Sequence, residues 1–451
     1  MSEKRLTTKQ KLGFGIFDLG GNMFFTLMSF WVLRYLTDTV GIAAAWAGTA
    51  VMIGKVWDAV TDPLMGYITD RTLSRWGRRR VYLLLGAGPM AFSMFFFFTA
   101  PIYLPTTMHF AWAVFALILL NTAATIINVP YSSLTPELTS DYHEQSSLNG
   151  YRFGCAVFGT IAGAGAVQPL VQLFSSPGAV DPLIDQRGHS IMGLILGLVI
   201  MVVTLITFFG TKEKKVYRKE DLPTEKFFAT FLTVFKNKPY VILLMTYALH
   251  ITGITFLTAI LVFYTENVLH RGDITTIAMI LLLVTAMLFI PISVLVSRRI
   301  GKRRTYQICF IVISSACALI YFLGHQTPIE FFFGIMVFAG IGVGFSYVAP
   351  FAMVPDVIEF EAAKTGERKE GAYYGVWTFV SKLGTALALF VTGHVLEWGG
   401  YIAEVGAIAV VQPPEVFYAI RLIVGPIPIG VLLAAAVLIN FYPLDKKRLS
   451  S

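Results

Sequence analysis

Long apolar stretches separated by short polar segments recur along the whole chain of 451 residues. Each stretch holds about twenty mostly apolar residues, and a helix of that length crosses a hydrocarbon core of roughly 30 Å. The pattern predicts an all-α membrane protein with twelve spanning helices, here called spans 1 to 12. Their expected positions are 12–37, 44–68, 80–100, 107–134, 148–172, 189–210, 239–266, 274–298, 304–323, 329–356, 370–396 and 416–441.

Composition and charge agree with a membrane location. Hydrophobic residues make up 56% of the chain and charged residues 14%, well below the charged share of about 25% in water-soluble domains. The net charge of +8 does not indicate nucleic-acid binding, because 28 of the 35 Lys and Arg lie at the termini and in alternate segments between spans. Since cytoplasmic loops are enriched in basic residues, both termini are expected in the cytoplasm. Without a cleavage pattern before span 1, we expect a multi-pass bacterial inner-membrane protein.

The two halves of the chain follow one plan. The basic segment 211–238 is expected to be a cytoplasmic linker between an N-terminal six-helix bundle, 1–210, and a C-terminal one, 239–451. Span 4 ends in NVPYSSLTPEL (128–138) and span 10 in YVAPFAMVPDVIEF (347–360), each with a proline, an aromatic residue and then a proline followed by an acid. Such repeats occur in secondary transporters, where the substrate lies near the bilayer midplane at the repeat interface.

The segment between spans 2 and 3, GYITDRTLSRWGRRR (66–80), resembles the signature found there in the major facilitator superfamily. The resemblance implies that fold, with two pseudo-symmetric six-helix bundles. Its acid and arginines would pair with neighbouring helix ends and hold one conformation, or would simply anchor the loop by positive charge. The matching residues are Gly66, Asp70, Arg71, Gly77 and Arg78.

Charged residues within span 2 are the strongest functional signal. In KVWDAVTDP (55–63), Asp58 and Asp62 are four residues apart and share one face of a helix, with Lys55 on nearly the same face. A charge at the bilayer centre costs about 2.5–3.5 kcal/mol or more, so such residues usually face the protein interior. Two carboxylates suit a hard cation such as Na⁺, or a shared proton. A salt bridge to Lys55 is the alternative, but it leaves one carboxylate unexplained.

Other spans also carry polar groups on one face. Close helix packing at Gly20 and Gly21 is an alternative role for the polar face of span 1. The sequence contains no constellation of nucleophile and base typical of an enzyme, so we expect no catalytic residues and no cofactor beyond a coupling ion. The candidates outside span 2 are Asp18, Asn22, Thr125, Asn128, Arg152, Thr378 and Lys382.

Several stretches together resemble one family. They are KLGFGIFDLGGN, WDAVTDPLMGYITDRTLSRWGRRR, NVPYSSLTPELT, SLNGYR and MVPDVIEFEAAKTGERKEGAYYGVWTFVSKLGTA. They are similar to signatures of the glycoside–pentoside–hexuronide:cation symporters, a melibiose permease-like branch of the major facilitator superfamily. The resemblance implies a cation-coupled symporter of a glycoside, pentoside or hexuronide that works by alternating access.

The resemblance also implies roles for individual residues. Cation ligands would be Asp58, Asp62, Thr125 and Asn128, for Na⁺ or H⁺. Substrate contacts would be Asn22, Asn128, Ser132, Arg152, Tyr347, Thr378 and Lys382, and the polar face of span 1 adds Asp18 as a candidate.

The chain departs from the melibiose permease of that family at four of these positions. Asn22 and Asn128 replace carboxylates, and Ser132 and Tyr347 replace tryptophans, which is more similar to the glucuronide and pentoside permeases. An acidic sugar would fit, because the basic residues of spans 5 and 11 can hold a carboxylate. The lysophosphatidylcholine symporter of vertebrates shares the WDAxTDP, VPYS and PDVI stretches, so an amphiphile is the alternative substrate. We expect a monomer in the lipid bilayer with a small-molecule substrate and no nucleic acid.

Overall fold

The computed structural model of the chain describes residues 6–101, 103, 105–139, 141–179, 181–213, 234–365, 370–403 and 411–444. Every long element in these ranges is a helix. The prediction of an all-α membrane protein is therefore confirmed.

Nine helices in the described ranges are long and apolar enough to cross a membrane. Two more spans are pairs of helices with a bend between them, of 55° in span 1 and 47° in span 5. The nine are Arg80–Phe97, Thr107–Ser132, Gln186–Gly210, Lys238–Val268, Gly272–Ile300, Lys302–Tyr321, Ile329–Thr365, Gly371–Trp398 and Pro414–Phe441. The bent pairs are Thr8–Phe30 with Val32–Thr39, and Ser147–Gly165 with Val167–Phe174. These eleven match every predicted span except span 2.

Span 2 forms the helix Ala44–Asp70 of 27 residues, about 40 Å long and thus long enough to cross a bilayer. It differs from the other spans in composition, because Lys55, Asp58 and Asp62 lie in its middle. Pro63 lies inside the same helix and cannot donate its backbone hydrogen bond there. The span that is not among the eleven apolar ones is therefore the one that carries the predicted ion site.

The described helices before residue 226 form one compact unit, and those after it form a second. The predicted linker 211–238 is described only at 211–213 and 234–238, so the bundle boundaries stay a prediction. In unit 1, span 1 packs against span 5, span 2 against span 4, and span 3 against spans 4 and 6. Spans 1 and 5 approach closely because of glycines, since a Cβ at Gly159 would clash with the Leu19 carbonyl oxygen.

Both units share a detail that supports their common plan. Span 1 ends in the π-helical turn Tyr35–Thr39, and span 7 ends in the π-helical turn Tyr264–Val268. The first tyrosine of each turn donates its hydroxyl to a carbonyl oxygen at the end of the third helix of its unit. The acceptors are Phe97 at 3.0 Å and Ile320 at 2.8 Å.

Candidate functional site

The carboxylates of span 2 meet a hydroxyl of span 4. Asp58 and Asp62 lie one turn apart on the same face of their helix, and Asp58 is 3% exposed. The Thr125 Oγ1 atom, on the helix Thr106–Ser132, lies 2.9 Å from Oδ1 of Asp58 and 2.9 Å from Oδ1 of Asp62. The structure thus brings together three of the four predicted cation ligands. The fourth, Asn128, lies one turn further along span 4 and donates to the Ala124 carbonyl oxygen at 2.9 Å.

The stoichiometry of this contact has a chemical consequence. A threonine hydroxyl carries a single proton to donate, but two carboxylate oxygens lie within hydrogen-bond distance of it. The hydroxyl can therefore donate to only one of the two oxygens at a time. Two ionised carboxylates this close together repel each other, and a small cation held by the same oxygens would weaken that repulsion.

A second polar cluster joins spans 1, 4 and 5. The guanidinium of Arg152 donates to the Asp18 carboxylate, with Nε 2.7 Å from Oδ2 and Nη2 3.4 Å from Oδ1. The Tyr131 hydroxyl donates to Asp18 Oδ2 at 2.5 Å and lies 3.1 Å from the Phe14 carbonyl oxygen. Arg152 also donates from Nη1 to Thr135 Oγ1 at 3.3 Å, and it lies over the Tyr131 ring at 4.7 Å. Arg152 is therefore held in place by an acid, a hydroxyl and an aromatic face.

Sequence reasoning identified Asp18 and Arg152 but not Tyr131 or Thr135. Tyr131 follows Asn128 by three residues on span 4, a spacing that places both on one helix face. That spacing could have identified the tyrosine. Thr135 lies in a short helix after span 4, Thr135–Leu138, where helical periodicity gives no such signal.

The other predicted substrate residues of unit 1 lie on spans 1 and 4. The Asn22 side chain donates to the Asp18 carbonyl oxygen at 2.8 Å. The Asn128 amide oxygen lies beside Gly21, where a Cβ would be 3.4 Å from it, so the spans approach each other at this level. Ser132 is exposed and donates to the Val129 carbonyl oxygen at 2.8 Å.

Three predicted substrate residues belong to unit 2. Tyr347 follows the helix Ile329–Ser346 and is 53% exposed. Thr378 is exposed on span 11 and donates to the Tyr374 carbonyl oxygen at 3.0 Å, and Lys382 lies one turn further along, half-buried. Beside them in the chain, Trp377 stacks on Tyr247 of span 7, with ring centroids 4.0 Å apart.

The predicted gating motif forms ion pairs inside unit 1. Arg78 Nη2 lies 2.6 Å from Glu137 Oε1 and 3.7 Å from Asp70 Oδ1. Arg79, the next residue, contacts Glu137 Oε1 at 3.3 Å and Asp70 Oδ1 at 2.9 Å. Arg71 instead lies over the Tyr67 ring at 3.6 Å. The motif thus ties the ends of spans 2, 3 and 4 together.

An acid from the end of span 6 completes this motif. Glu213 accepts hydrogen bonds from the backbone N–H groups of Arg78, Arg79 and Arg80 at 2.7–2.9 Å, and so caps the start of span 3. Gly77 has a φ of +105°, and a Cβ there would lie 2.6 Å from a Glu213 carboxylate oxygen. Gly66 lies in span 2, where a Cβ would be 4.0 Å from the nearest neighbouring atom, a methyl carbon of Val129.

Unit 2 contains an equivalent ion pair. Lys302 at the start of span 9 contacts both carboxylate oxygens of Asp356, at 2.8 Å and 2.7 Å. Asp356 follows Pro355 as Glu137 follows Pro136, in the sequence echo between spans 4 and 10. The equivalent positions of the two halves therefore make equivalent contacts.

Known proteins resemble the chain over nearly its whole length. The family described as "MFS/sugar transport protein" matches residues 13–446. The glucuronide carrier protein homolog of Escherichia coli strain K12 is 28% identical, over 99% of this chain and 94% of its own. The isoprimeverose transporter of Lactiplantibacillus pentosus is 27% identical, over 97% and 89%. The nucleoside transporter NupG has the same fold, with a TM-score of 0.65 at 17% identity over 96% of this chain and 99% of its own.

These matches confirm the resemblance to the glycoside–pentoside–hexuronide:cation symporters and the expectation of a transporter rather than an enzyme. They also agree with a multi-pass architecture, since eleven apolar spans lie among the described residues. The chain belongs to the MFS/sugar transport protein family of the major facilitator superfamily.

Proposed function

We propose that the chain is a cation-coupled symporter of a glycoside, pentoside or hexuronide that works by alternating access. The observation that carries the proposal is the Thr125 hydroxyl at 2.9 Å from both Asp58 and Asp62, between span 2 and span 4. Relatives named for glucuronide and isoprimeverose support a sugar as the substrate class. One charge that moves through 100 mV releases about 2.3 kcal/mol, enough for a substrate gradient of roughly fifty-fold.

The coupling ion is Na⁺ or H⁺, held by Asp58, Asp62 and Thr125. A bound monovalent cation offsets one of the two negative charges and ties span 2 to span 4 through Thr125. A proton serves in the same way when one carboxyl group donates to the Thr125 hydroxyl. Asn128 lies next to this site and can contribute its amide oxygen to a cation or its amide to a sugar.

The substrate contacts come from spans 1, 4, 5, 10 and 11. Because Asp18 already pairs with Arg152, a sugar carboxylate would have to compete with Asp18 for that guanidinium. We therefore expect Arg152 to bind sugar hydroxyl groups through its remaining N–H groups, and Lys382 to hold the carboxylate of a hexuronide. The proposed contacts are Asn22, Asn128, Ser132, Arg152, Tyr347, Thr378 and Lys382, with Asp18 as the group that positions Arg152.

We place the protein in a bacterial inner membrane as a monomer, with both termini in the cytoplasm. The support for this orientation is the concentration of Lys and Arg in alternate segments between spans.

The test is uptake into proteoliposomes under an imposed Na⁺ gradient or pH gradient, with a panel of glycosides, glucuronides, pentosides and lysophospholipids. We expect sugar accumulation driven by one of the two gradients, and its loss in Asp58→Asn and Asp62→Asn. Asp273→Asn is the matched control, because Asp273 is exposed and pairs only with Arg271 at 2.8 Å among the described residues. Accumulation that persists in the span 2 variants contradicts the coupling role. Uptake of lysophospholipid alone would reassign the substrate to an amphiphile.

A further inference from the structure

An apolar crevice of about 400 Å³ opens on the surface of unit 1 between spans 2, 3 and 4. Its walls include Trp57, Leu64, Ile68 and Leu85, which are 42%, 54%, 41% and 57% exposed in the whole chain. Its inner end reaches Thr125, the hydroxyl that contacts both span 2 carboxylates. Within the hydrocarbon core of a bilayer, an exposed apolar surface of this kind contacts lipid acyl chains.

The crevice has the depth of one leaflet. Its span 2 wall consists of positions 57, 61, 64 and 68, which share one helix face. From Trp57 to Ile68 the helix rises about 16 Å, at 1.5 Å per residue. That length is about half of a 30 Å hydrocarbon core, the depth that a single acyl chain occupies.

A basic pocket of about 480 Å³ lies at the end of spans 2 and 3 that carries the gating motif. Its lining includes Arg75, Arg78, Arg80 and Lys212, and one acid, Glu213. The Glu213 carboxylate is occupied by the backbone N–H groups at the start of span 3. The lining of the pocket therefore has an excess of positive charge, and Arg75 and Lys212 are exposed to a ligand.

The crevice and the pocket share a wall. Tyr82 lines the crevice and Thr72 lines the basic pocket, and their hydroxyl groups lie 2.6 Å apart. Thr72 also donates to the carbonyl oxygen of Ile68, a crevice residue one turn earlier, at 2.8 Å. A charged group in the pocket and a chain in the crevice can therefore belong to one molecule.

We propose that this composite surface binds an anionic phospholipid, with its phosphate in the basic pocket and one acyl chain in the crevice. Basic pockets at the ends of membrane helices bind anionic head groups, and each nearby Lys or Arg adds affinity for an anionic lipid. The bilayer supplies the acyl chain at the depth where the crevice is apolar. The occupant is therefore a lipid of the leaflet at this end of the spans, separate from the transported substrate.

The head-group part is tested by native mass spectrometry of the purified protein, titrated with phosphatidylglycerol and with phosphatidylcholine. In the double variant Arg75→Gln with Lys212→Gln, we expect phosphatidylglycerol binding to weaken about 30-fold. Binding of phosphatidylcholine should change little. The matched control is Arg298→Gln with Arg299→Gln, two exposed arginines in the last turn of span 8 in unit 2. Equal phosphatidylglycerol binding by both double variants would overturn the proposal.

The acyl-chain part is tested by filling the crevice with Leu85→Trp. We expect weaker binding of both lipids, whereas Phe92→Trp, at an exposed position of the same helix outside the crevice, leaves binding unchanged. Folding of each variant is checked by its melting temperature. Equal lipid binding by the two tryptophan variants would mean that no acyl chain lies in the crevice and would overturn the lipid assignment. Full displacement of phosphatidylglycerol by inorganic phosphate would mean that the pocket is a site for soluble anions and would overturn it as well.

Discussion

Replacement of Thr125 by valine tests the ion site more sharply than removal of a carboxylate, because it preserves side-chain shape and net charge. The variant removes the hydroxyl that lies 2.9 Å from both Asp58 and Asp62 and replaces it with a methyl group. Hydrogen bonds to charged groups contribute about 1.5–3 kcal/mol each. If the cation-bound state depends on one such bond, cation affinity falls roughly ten- to a hundredfold.

The assay compares two modes of transport in proteoliposomes. Concentrative uptake requires the ion gradient, whereas exchange of internal and external sugar at equilibrium does not require net ion flux. We expect Thr125→Val to raise the cation concentration or lower the pH needed for half-maximal uptake, and to affect exchange much less once the cation is saturating. Thr125→Ser, which retains the hydroxyl, should behave nearly as the parent protein.

The matched control is Thr122→Val on the same helix. Its hydroxyl accepts a hydrogen bond from Trp57 Nε1 at 2.9 Å, so the change removes a hydroxyl of span 4 that contacts span 2 away from the carboxylates. If Thr125→Val and Thr122→Val shift the cation dependence equally, the effect is general loosening between spans 2 and 4. An unchanged cation dependence in Thr125→Val would refute the assigned ion site.

Three further outcomes follow from the contacts. Gly77→Ala should lower the melting temperature, because the positive φ of residue 77 and the 2.6 Å contact of the new Cβ with a capping carboxylate cost roughly 1–3 kcal/mol of folding free energy. Gly88→Ala is the control and should leave the melting temperature unchanged, because a Cβ at residue 88 has no neighbouring atom within 4 Å. Tyr131→Phe should raise the sugar KM about tenfold with little change in melting temperature, since it loses the 2.5 Å contact that helps to position the span 5 arginine. Lys302→Met should lower the free energy of unfolding by only about 1 kcal/mol, because the Lys302 side chain is 40% exposed and solvent weakens its ion pair. The charge-swapped variant Lys302→Asp with Asp356→Lys should restore part of that loss, measured as the melting temperature.

The sequence predicted the spans well because hydrophobic length is a local property. Eleven predicted spans coincide with apolar helices or bent pairs of helices, and the twelfth is the charged helix Ala44–Asp70. The bends in spans 1 and 5, at Trp31 and Ala166, were not predicted. Pro169 follows the break in span 5 by three residues, and a proline ring clashes with the carbonyl four residues before it, so the sequence did hold a signal for that bend. Span 1 contains no proline, and its bend has no such signal in the sequence.

The site was predicted only where its members share a helix. The spacing of Asp58 and Asp62 is visible in the sequence, because residues four apart lie on one helix face. The pairing of Asp18 with Arg152 joins residues separated by 134 positions, and no local pattern specifies which face of span 5 meets span 1. For this reason the arginine was assigned to the substrate without its partner acid.

The ion pairs at the equivalent ends of the two units indicate which parts of the protein move together. Arg78 with Glu137, and Lys302 with Asp356, each join the start of the third helix of a unit to the end of its fourth helix. Glu137 is almost fully buried, and loss of a partner from a buried ion pair costs about 3–5 kcal/mol. A transport cycle that broke the Arg78–Glu137 pair would have to supply that free energy at every turnover. We therefore expect the third and fourth helices of unit 1 to remain together during transport, and the proposed coupling of ion to substrate to depend on the contact between span 2 and Thr125.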